Sequence, residues 1–380
     1  MHHLDYTKTP LLVIWEVTRG CALACRHCRA ATWDFTDPGE LSTSEGKHLL
    51  DSIHAMGTPI VVFTGGDPLR RDDLEELIAH ARGLGLKTGT IPATGPRLTR
   101  ERILSLRNAG LDQLALSLDA PTADEHDGFR RVPGCFDKAL EAAGWARDAG
   151  LALQVNTVFA SWNAHHGDAM AQLVAGLGPV FWEVFFLVPV GRGAALAPCS
   201  ASELEALFGV LHATSQRVPF VVKVTEAPQY RVYLAKHPGA APRNPARDSA
   251  PLPSAHHHVG GALKDRRTGI NSGKGFCFVD HRGLVMPSGF LPVPCGDVRE
   301  GDLATIYREH PTFVALRDPR KLEGGCGACA WNDLCGGSRA RAFAVTGNMF
   351  AAEPMCALAR RLEEARTGQT GLVEGTRIDP

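Results

Sequence analysis

The chain has 380 residues, with 40 Lys+Arg against 41 Asp+Glu, and 44% of it is apolar. That supports one large domain plus a smaller one, while the balanced charge, without a long single-sign run, marks neither a nucleic-acid groove nor a polybasic membrane patch. No stretch approaches the roughly 20 uninterrupted apolar residues of a membrane span, and the opening MHHLDYTKTP lacks a basic-then-apolar signal, so a cytoplasmic protein is expected.

The run LLVIWEV (residues 11–17) is continuous and rich in branched residues, which is how a strand buried on both faces of a parallel sheet reads. CALACRHC follows it, with Cys21, Cys25 and Cys28. In STSEGKHLLDSIHAM, Leu49, Leu50, Ile53 and Met56 share one helical face, and PIVVFT (59–64) is the next buried strand. The alternation continues through DDLEELIAHARG and GLKTGTI, LTRERILSLRNAG and QLALSLD, FDKALEAAGWARDAG and LALQVNTVF, then DAMAQLVAGLG and VFWEVFFLV. Six strand-then-helix repeats end near residue 217. They imply parallel strands with right-handed crossovers, in an open sheet or a barrel. Both architectures bind ligands at the carboxyl ends of their strands. The informative residues fall there: the cysteines, TGGDP (64–68), PATG (92–95), SLD (117–119), QVNT (154–157) and VPVGRG (188–193). One shared site is expected.

Residues 236–258 hold five prolines and no apolar period, as a surface loop or connector does. Beyond them lie short turns, glycines and cysteines: Cys326, Cys329, Cys335 and, twenty-one positions after the last, Cys356. The expected organisation is a strand-helix unit over 1–217, a connector over 218–262, a cysteine-rich, metal-stapled unit over 263–365 and a tail over 366–380.

Eleven cysteines in a reducing compartment point to metal or redox chemistry where they are grouped. Three thiolates spaced CxxxCxxC can each take one iron of a cubic 4Fe-4S cluster and leave the fourth iron open to a small molecule. A zinc knot is the alternative, but structural zinc wants four ligands in a tetrahedron, and the nearby fourth would be His27 in poor geometry.

CxxxCxxC after the first strand of a six-repeat barrel, followed by TGGDP, resembles the radical S-adenosylmethionine (SAM) superfamily, whose GGEP motif is matched here with Asp67 in place of Glu. The resemblance implies a partial (β/α)6 barrel, a SAM-binding 4Fe-4S cluster on Cys21, Cys25 and Cys28, and reductive cleavage of SAM to a 5'-deoxyadenosyl radical. It further implies that Gly65, Gly66 and Asp67 hold the methionine amine, that Ser117 and Asn156 meet the ribose or carboxylate, and that Arg130 pairs with the carboxylate. Taken singly, the glycines could form an ordinary turn and Arg130 a solvated surface charge. An external reductant such as flavodoxin or ferredoxin is implied too.

The C-terminal cysteines resemble the SPASM/twitch extension of that superfamily. Ser338 and Ser288 stand where relatives carry further cysteines, so one auxiliary 4Fe-4S cluster on Cys326, Cys329, Cys335 and Cys356 is the economical expectation, with a zinc ribbon as the alternative. Cys277 and Cys295 could supply a partial site or be buried thiols; Cys135 and Cys199 read as core residues. A cluster closed by four thiolates suits electron transfer, hence an oxidative reaction.

LLVIWEVTRGCALACRHCRA, HDGFRRVPGCF, FFLVPVGRG and CGACAWNDLCGGSRARAFAVTGN resemble the branch that acts on tetrapyrrole side chains, in haem b and haem d1 biosynthesis. Peptide-maturing SPASM enzymes share most of these motifs, so a peptide substrate is the second possibility, and a non-catalytic iron-sulfur or zinc protein the third. The short segment before the first strand is unlike the leader-binding domain of many peptide maturases. Expected substrate contacts are Arg192, Tyr230 and Arg231, with solvated loops or a structural ion pair as the other reading; the run His256–His258 reads as an exposed loop that could touch iron or haem.

Overall fold

The branched run at the front forms β1 (Leu12–Thr18), and each later apolar run forms a strand beside its predecessor, because a strand apolar on both faces is stable only with neighbours on both edges and layers above and below. In the computed structural model, which describes residues 4–238 and 269–367, β2 (Ile60–Gly65), β3 (Lys87–Thr90), β4 (Gln113–Ser117), β5 (Ala152–Phe159) and β6 (Phe181–Phe186) pair in parallel, in chain order. Helices Thr43–Ala55, Leu74–Gly83, Arg100–Asn108, Ala123–Arg130, Cys135–Asp148 and Gly167–Leu177 connect them. The helices cover one face, where Val13, Trp15, Phe63, Leu116, Val155 and Trp182 of the strands meet Leu49, Leu77, Ile103 and Ala142 of the helices in one continuous core. This is the α/β architecture that the alternation predicts, in the partial-barrel form that the resemblance implies.

Two strands lie outside the six repeats. Where the sequence reading closes the barrel near residue 217, Val221–Thr225 adds β7 to the edge beside β6, after helix Ala201–Arg217. Where the reading begins a separate C-terminal unit, Phe276–Val279 forms β8 and pairs in parallel with β1, continuing into an antiparallel β9 (Leu284–Met286) and β10 (Gly296–Asp297). The result is one ten-stranded sheet ordered β10-β9-β8-β1-β2-β3-β4-β5-β6-β7. Four- and three-residue apolar runs such as FCFV and LVM carry too little periodicity to announce a strand, and the register against β1 decides them.

Polar groups at 0–4% exposure fasten the C-terminal part to the barrel. Arg341 is fully buried and donates to the carbonyls of Phe186, Leu187 and Glu226 at the barrel end and to the Glu353 carboxylate at 3.0 Å. His281, in the β8–β9 turn, bridges Glu16 of β1 (2.9 Å) and Asp37 (3.1 Å), and these carboxylates also pair with Arg29 and Arg282.

Removing one partner of a buried pair strands the other charge, so Arg341→Met is expected to cost about 3–5 kcal/mol in chemical denaturation, with partial recovery in Arg341→Met/Glu353→Leu. Burial disfavours a charged His281, but Glu16, and then Asp280 and Asp37, outweigh it and hold its pKa above 6.5. A raised pKa stabilises fully below the unfolded value, and that contribution is lost as pH rises through the folded one. As pH rises above about 6.5 and through the raised folded-state pKa, the wild type should therefore lose its stability advantage over His281→Gln.

Candidate active site

The loop after β1 carries three thiols, and its side chains are held mainly through backbone. Gly66 N–H donates to Thr18 O and Asp67 N–H to Gly20 O, both at 2.8 Å. A Cβ at Gly65 would sit 2.4 Å from Thr18 O, and one at Gly66 2.4 Å from Gly20 O. The glycine pair of TGGDP thus exists so that β2 can press against the root of the cysteine loop. From other sides, Arg26 N–H donates to Phe129 O (3.1 Å) and Cys21 N–H to Trp33 O (2.8 Å). Arg192 N–H reaches Cys28 O (2.9 Å), while its guanidinium donates to Cys25 O (2.9 Å), Thr32 O (3.1 Å) and Thr32 Oγ1 (3.3 Å). Gly191 lies at φ +55°, where a Cβ would be 2.5 Å from Cys28 O.

Cys21 and Cys25 are buried and Cys28 half-buried. Burial first, then neighbouring charges including the other two thiolates, pushes the Cys21 thiol up to about 12 and raises Cys25 as well. Thiols packed this way want a cation in place of their protons. A single tetrahedral ion would draw its sulfurs to within about 4 Å of one another. Among the described residues the one trio of ligand atoms that converges within 4.8 Å is Glu125, His165 and His166, away from the cysteines. Three thiolates suffice for a cluster of several irons, whereas a zinc knot would need His27 as its fourth ligand. His27 instead stacks on Phe129 with ring centres 4.8 Å apart, and burial drives its pKa down to about 3, so the ring is neutral.

Asp67 is 4% exposed; its Oδ1 accepts from Leu69 N (3.2 Å) and Ala93 N (3.3 Å), and burial raises its pKa. Beside it a cavity of about 220 Å³ is lined by Ala22, Leu23, Asp67, Arg70, Gly95 and Arg97. Ser117 and Asn156 are register partners on β4 and β5, and Asn156 Oδ1 accepts from Gln154 (2.7 Å). Arg130 is no surface charge: it is 8% exposed, its Nε (2.7 Å) and Nη2 (2.6 Å) grip one oxygen of the fully buried Asp119, and its charge acts on Cys25. Asp119 Oδ1 in turn accepts from Val158 N (2.9 Å). Gly65, Gly66, Asp67 and Arg130 thus lie against the end of β1 and the cysteine loop, while Ser117 and Asn156 sit side by side on β4 and β5.

The second cysteine set gathers as well. Cys335, Cys356 and Cys326 lie close enough for their charges to interact. Each sulfur accepts a backbone N–H: Cys326 from Glu353 (3.2 Å), Cys329 from Trp331 (3.5 Å), Cys335 from Gly337 (3.4 Å) and Cys356 from Ala359 (3.4 Å). Such donors suit thiolates and tune cluster potentials. Ser338 is buried and fully engaged: its Oγ bonds Glu226 and accepts from Arg341 N (3.0 Å), capping helix Arg339–Thr346. Ser288 is buried and its Oγ accepts from Phe290 N (3.1 Å). Cys277 and Cys295 are buried free thiols in the main core, as is Cys199; Cys135 bonds Asp127.

The expected substrate contacts sit elsewhere. Arg192 is spent on the first cysteine loop. Arg231 is spent on Leu334 O and Ile270 O beside Cys335, and Tyr230 packs on Phe208 in the core. Both arginines met the sequence criterion for carboxylate binding, but backbone carbonyls claim them first. His256–His258 lie outside the described residues.

A curved parallel sheet with a three-thiol loop at the carboxyl end of its first strand defines an iron-sulfur barrel enzyme. Residues 15–174 match the Radical SAM superfamily. The chain is 37% identical over 356 residues to an AdoMet-dependent heme synthase of Oleidesulfovibrio alaskensis, covering 93% of this chain and 89% of that protein. It is 36% identical over 350 residues to one of Methanosarcina barkeri, covering 92% and 97%. The crystal structure of Streptococcus suis SuiB bound to S-adenosylmethionine shares the fold, with a TM-score of 0.70 at 14% identity over 92% of this chain and 78% of that one. The chain belongs to the radical SAM superfamily, and as a member it is an enzyme whose cofactors are a 4Fe-4S cluster and SAM.

A methyl at Gly66 must displace the loop root, so Gly66→Ala is expected to lower SAM cleavage about a hundredfold, the scale of a misplacement near 1 Å. Iron content and electron paramagnetic resonance of the reduced protein should show the loss at one cluster, with the Cys326–Cys356 set intact.

Proposed function

We propose that the enzyme oxidatively decarboxylates propionate side chains of an iron-bearing tetrapyrrole of the coproporphyrin type. The observation that carries this reading is similarity along nearly the whole chain to proteins named AdoMet-dependent heme synthase. When bound, the cluster and SAM supply a 5'-deoxyadenosyl radical that takes a hydrogen atom from the substrate. Cys21, Cys25 and Cys28 hold the cluster; Gly65, Gly66 and Asp67 border the methionine end, where the raised pKa of buried Asp67 asks for a cationic amine. Ser117 and Asn156 serve the ribose or carboxylate. Arg130, fixed in place by Asp119, steadies the Cys25 side of the loop and serves the SAM carboxylate.

The substrate loses a hydrogen atom, carbon dioxide and one electron. Cys326, Cys329, Cys335 and Cys356 would hold an auxiliary 4Fe-4S cluster, which would supply an electron acceptor for that step and, with four thiolate ligands, would offer no open iron to substrate. A flavodoxin- or ferredoxin-type reductant in the cytoplasm supplies the electron that starts each cycle. Among the described residues no helix is long and apolar enough to cross a membrane.

With SAM and dithionite, reconstituted wild-type protein should form 5'-deoxyadenosine. Cys25→Ala should form none, and Cys329→Ala should keep a fraction of it yet turn over no substrate. Deuterium from propionate-labelled iron coproporphyrin should appear in 5'-deoxyadenosine; label arriving only from a peptide would replace the tetrapyrrole reading with peptide modification.

A further inference from the structure

One row of side chains crosses four strands inside the barrel. Ser117, Asn156, Glu183 and Lys223 are successive register partners on β4, β5, β6 and β7. Their direction follows from alternation: Leu116, Val155, Trp182, Val184, Val222 and Val224 pack into the core under the helices, so the residues between them face the lumen. The row thus starts at the SAM end of the site and runs to the edge strand.

Hydrogen bonds join it. Gln113 donates to Gln154, and Gln154 Nε2 donates to Asn156 Oδ1 (2.7 Å) and Glu183 Oε2 (2.9 Å). Glu183 Oε1 accepts from Lys223 Nζ and Thr225 Oγ1, each at 2.7 Å. Both oxygens of Glu183 are therefore satisfied. Lys223 has three donors and uses one among the described residues, and its side chain is 30% exposed. An ammonium anchored by one carboxylate with donors left over is a receptor for a second carboxylate. On β1 and β2, Leu12, Ile14, Ile60 and Val62 alternate with the core residues Val13, Trp15, Val61 and Phe63 and so face the lumen, and they are half-buried although they lie within strands. The lumen has one charged wall and one apolar wall. At about 4.8 Å per strand, Lys223 lies roughly 10 Å along the sheet from Asn156, a span that suits a flat macrocycle with carboxylates on its edge.

We propose that Lys223, positioned by Glu183, binds a substrate carboxylate and so sets which side chain of the ring reaches the SAM end. This rests on the tetrapyrrole reading above. Arg192 and Arg231 serve the two cysteine segments instead, Arg192 through Cys25 O, Thr32 O and Thr32 Oγ1 and Arg231 through Leu334 O and Ile270 O.

The test titrates reconstituted full-length protein with iron coproporphyrin III and with its tetramethyl ester, followed by the Soret band. Wild type should bind the acid at least about tenfold more tightly than the ester, Lys223→Met should lose about tenfold or more for the acid and little for the ester, and Lys223→Arg should keep the preference. If wild type binds neither, the tetrapyrrole reading fails and takes the proposal with it. If wild type prefers the acid and Lys223→Met binds it as tightly, or loses acid and ester equally, the Lys223 contact is overturned while the tetrapyrrole reading stands.

Discussion

A loop whose side chains are reserved for iron must be held by its backbone. Thiolates that bind metal cannot also pack a core, so the segment after β1 depends on amides and carbonyls meeting partners from the strands around it. Gly66 and Asp67 just after β2, Phe129 from helix Ala123–Arg130 and Arg192 after β6 supply those partners. Each comes from the carboxyl end of a different barrel unit. Barrel closure and cluster geometry are therefore one problem, and an error in either appears in the other.

Guanidinium groups solve it repeatedly. Arg192 gathers carbonyls of the first cysteine loop, Arg231 those beside Cys335, and Arg341 the ends of β6 and β7 together with Glu353. Five donors in a rigid planar fork let one side chain tie several strand ends whose carbonyls would otherwise be buried unpaired. Lysine offers a point charge on a flexible stem and suits the opposite task, meeting a ligand that arrives from solution. Lys223 in the lumen has that form.

The sequence makes the six repeats legible because strands apolar on both faces and amphipathic helices differ in period, and it makes the cysteine sets legible because metal chemistry restricts residue type and spacing. TGGDP shows as a motif, although the physical demand behind its glycines, two backbones so close that a Cβ would lie 2.4 Å from a carbonyl oxygen, is a tertiary fact. β7 and β8 do not show: VVKVT alternates weakly and FCFV is too short, and they become strands because β6 and β1 offer unpaired edges. Arg130 looks like a surface charge until Asp119, eleven residues away along the chain, appears 2.6 Å from it.

By itself the sequence determined the class of fold, the two cysteine sets and the position of the site at the strand ends, since these rest on local periodicity and on residue chemistry. Only the tertiary structure decided which polar side chains serve the scaffold and which face the lumen. Arg192, Arg231, Ser338 and Lys223 are alike in a sequence as polar residues near functional motifs, and they part company according to whether a buried carbonyl or carboxylate lies within reach, or open space.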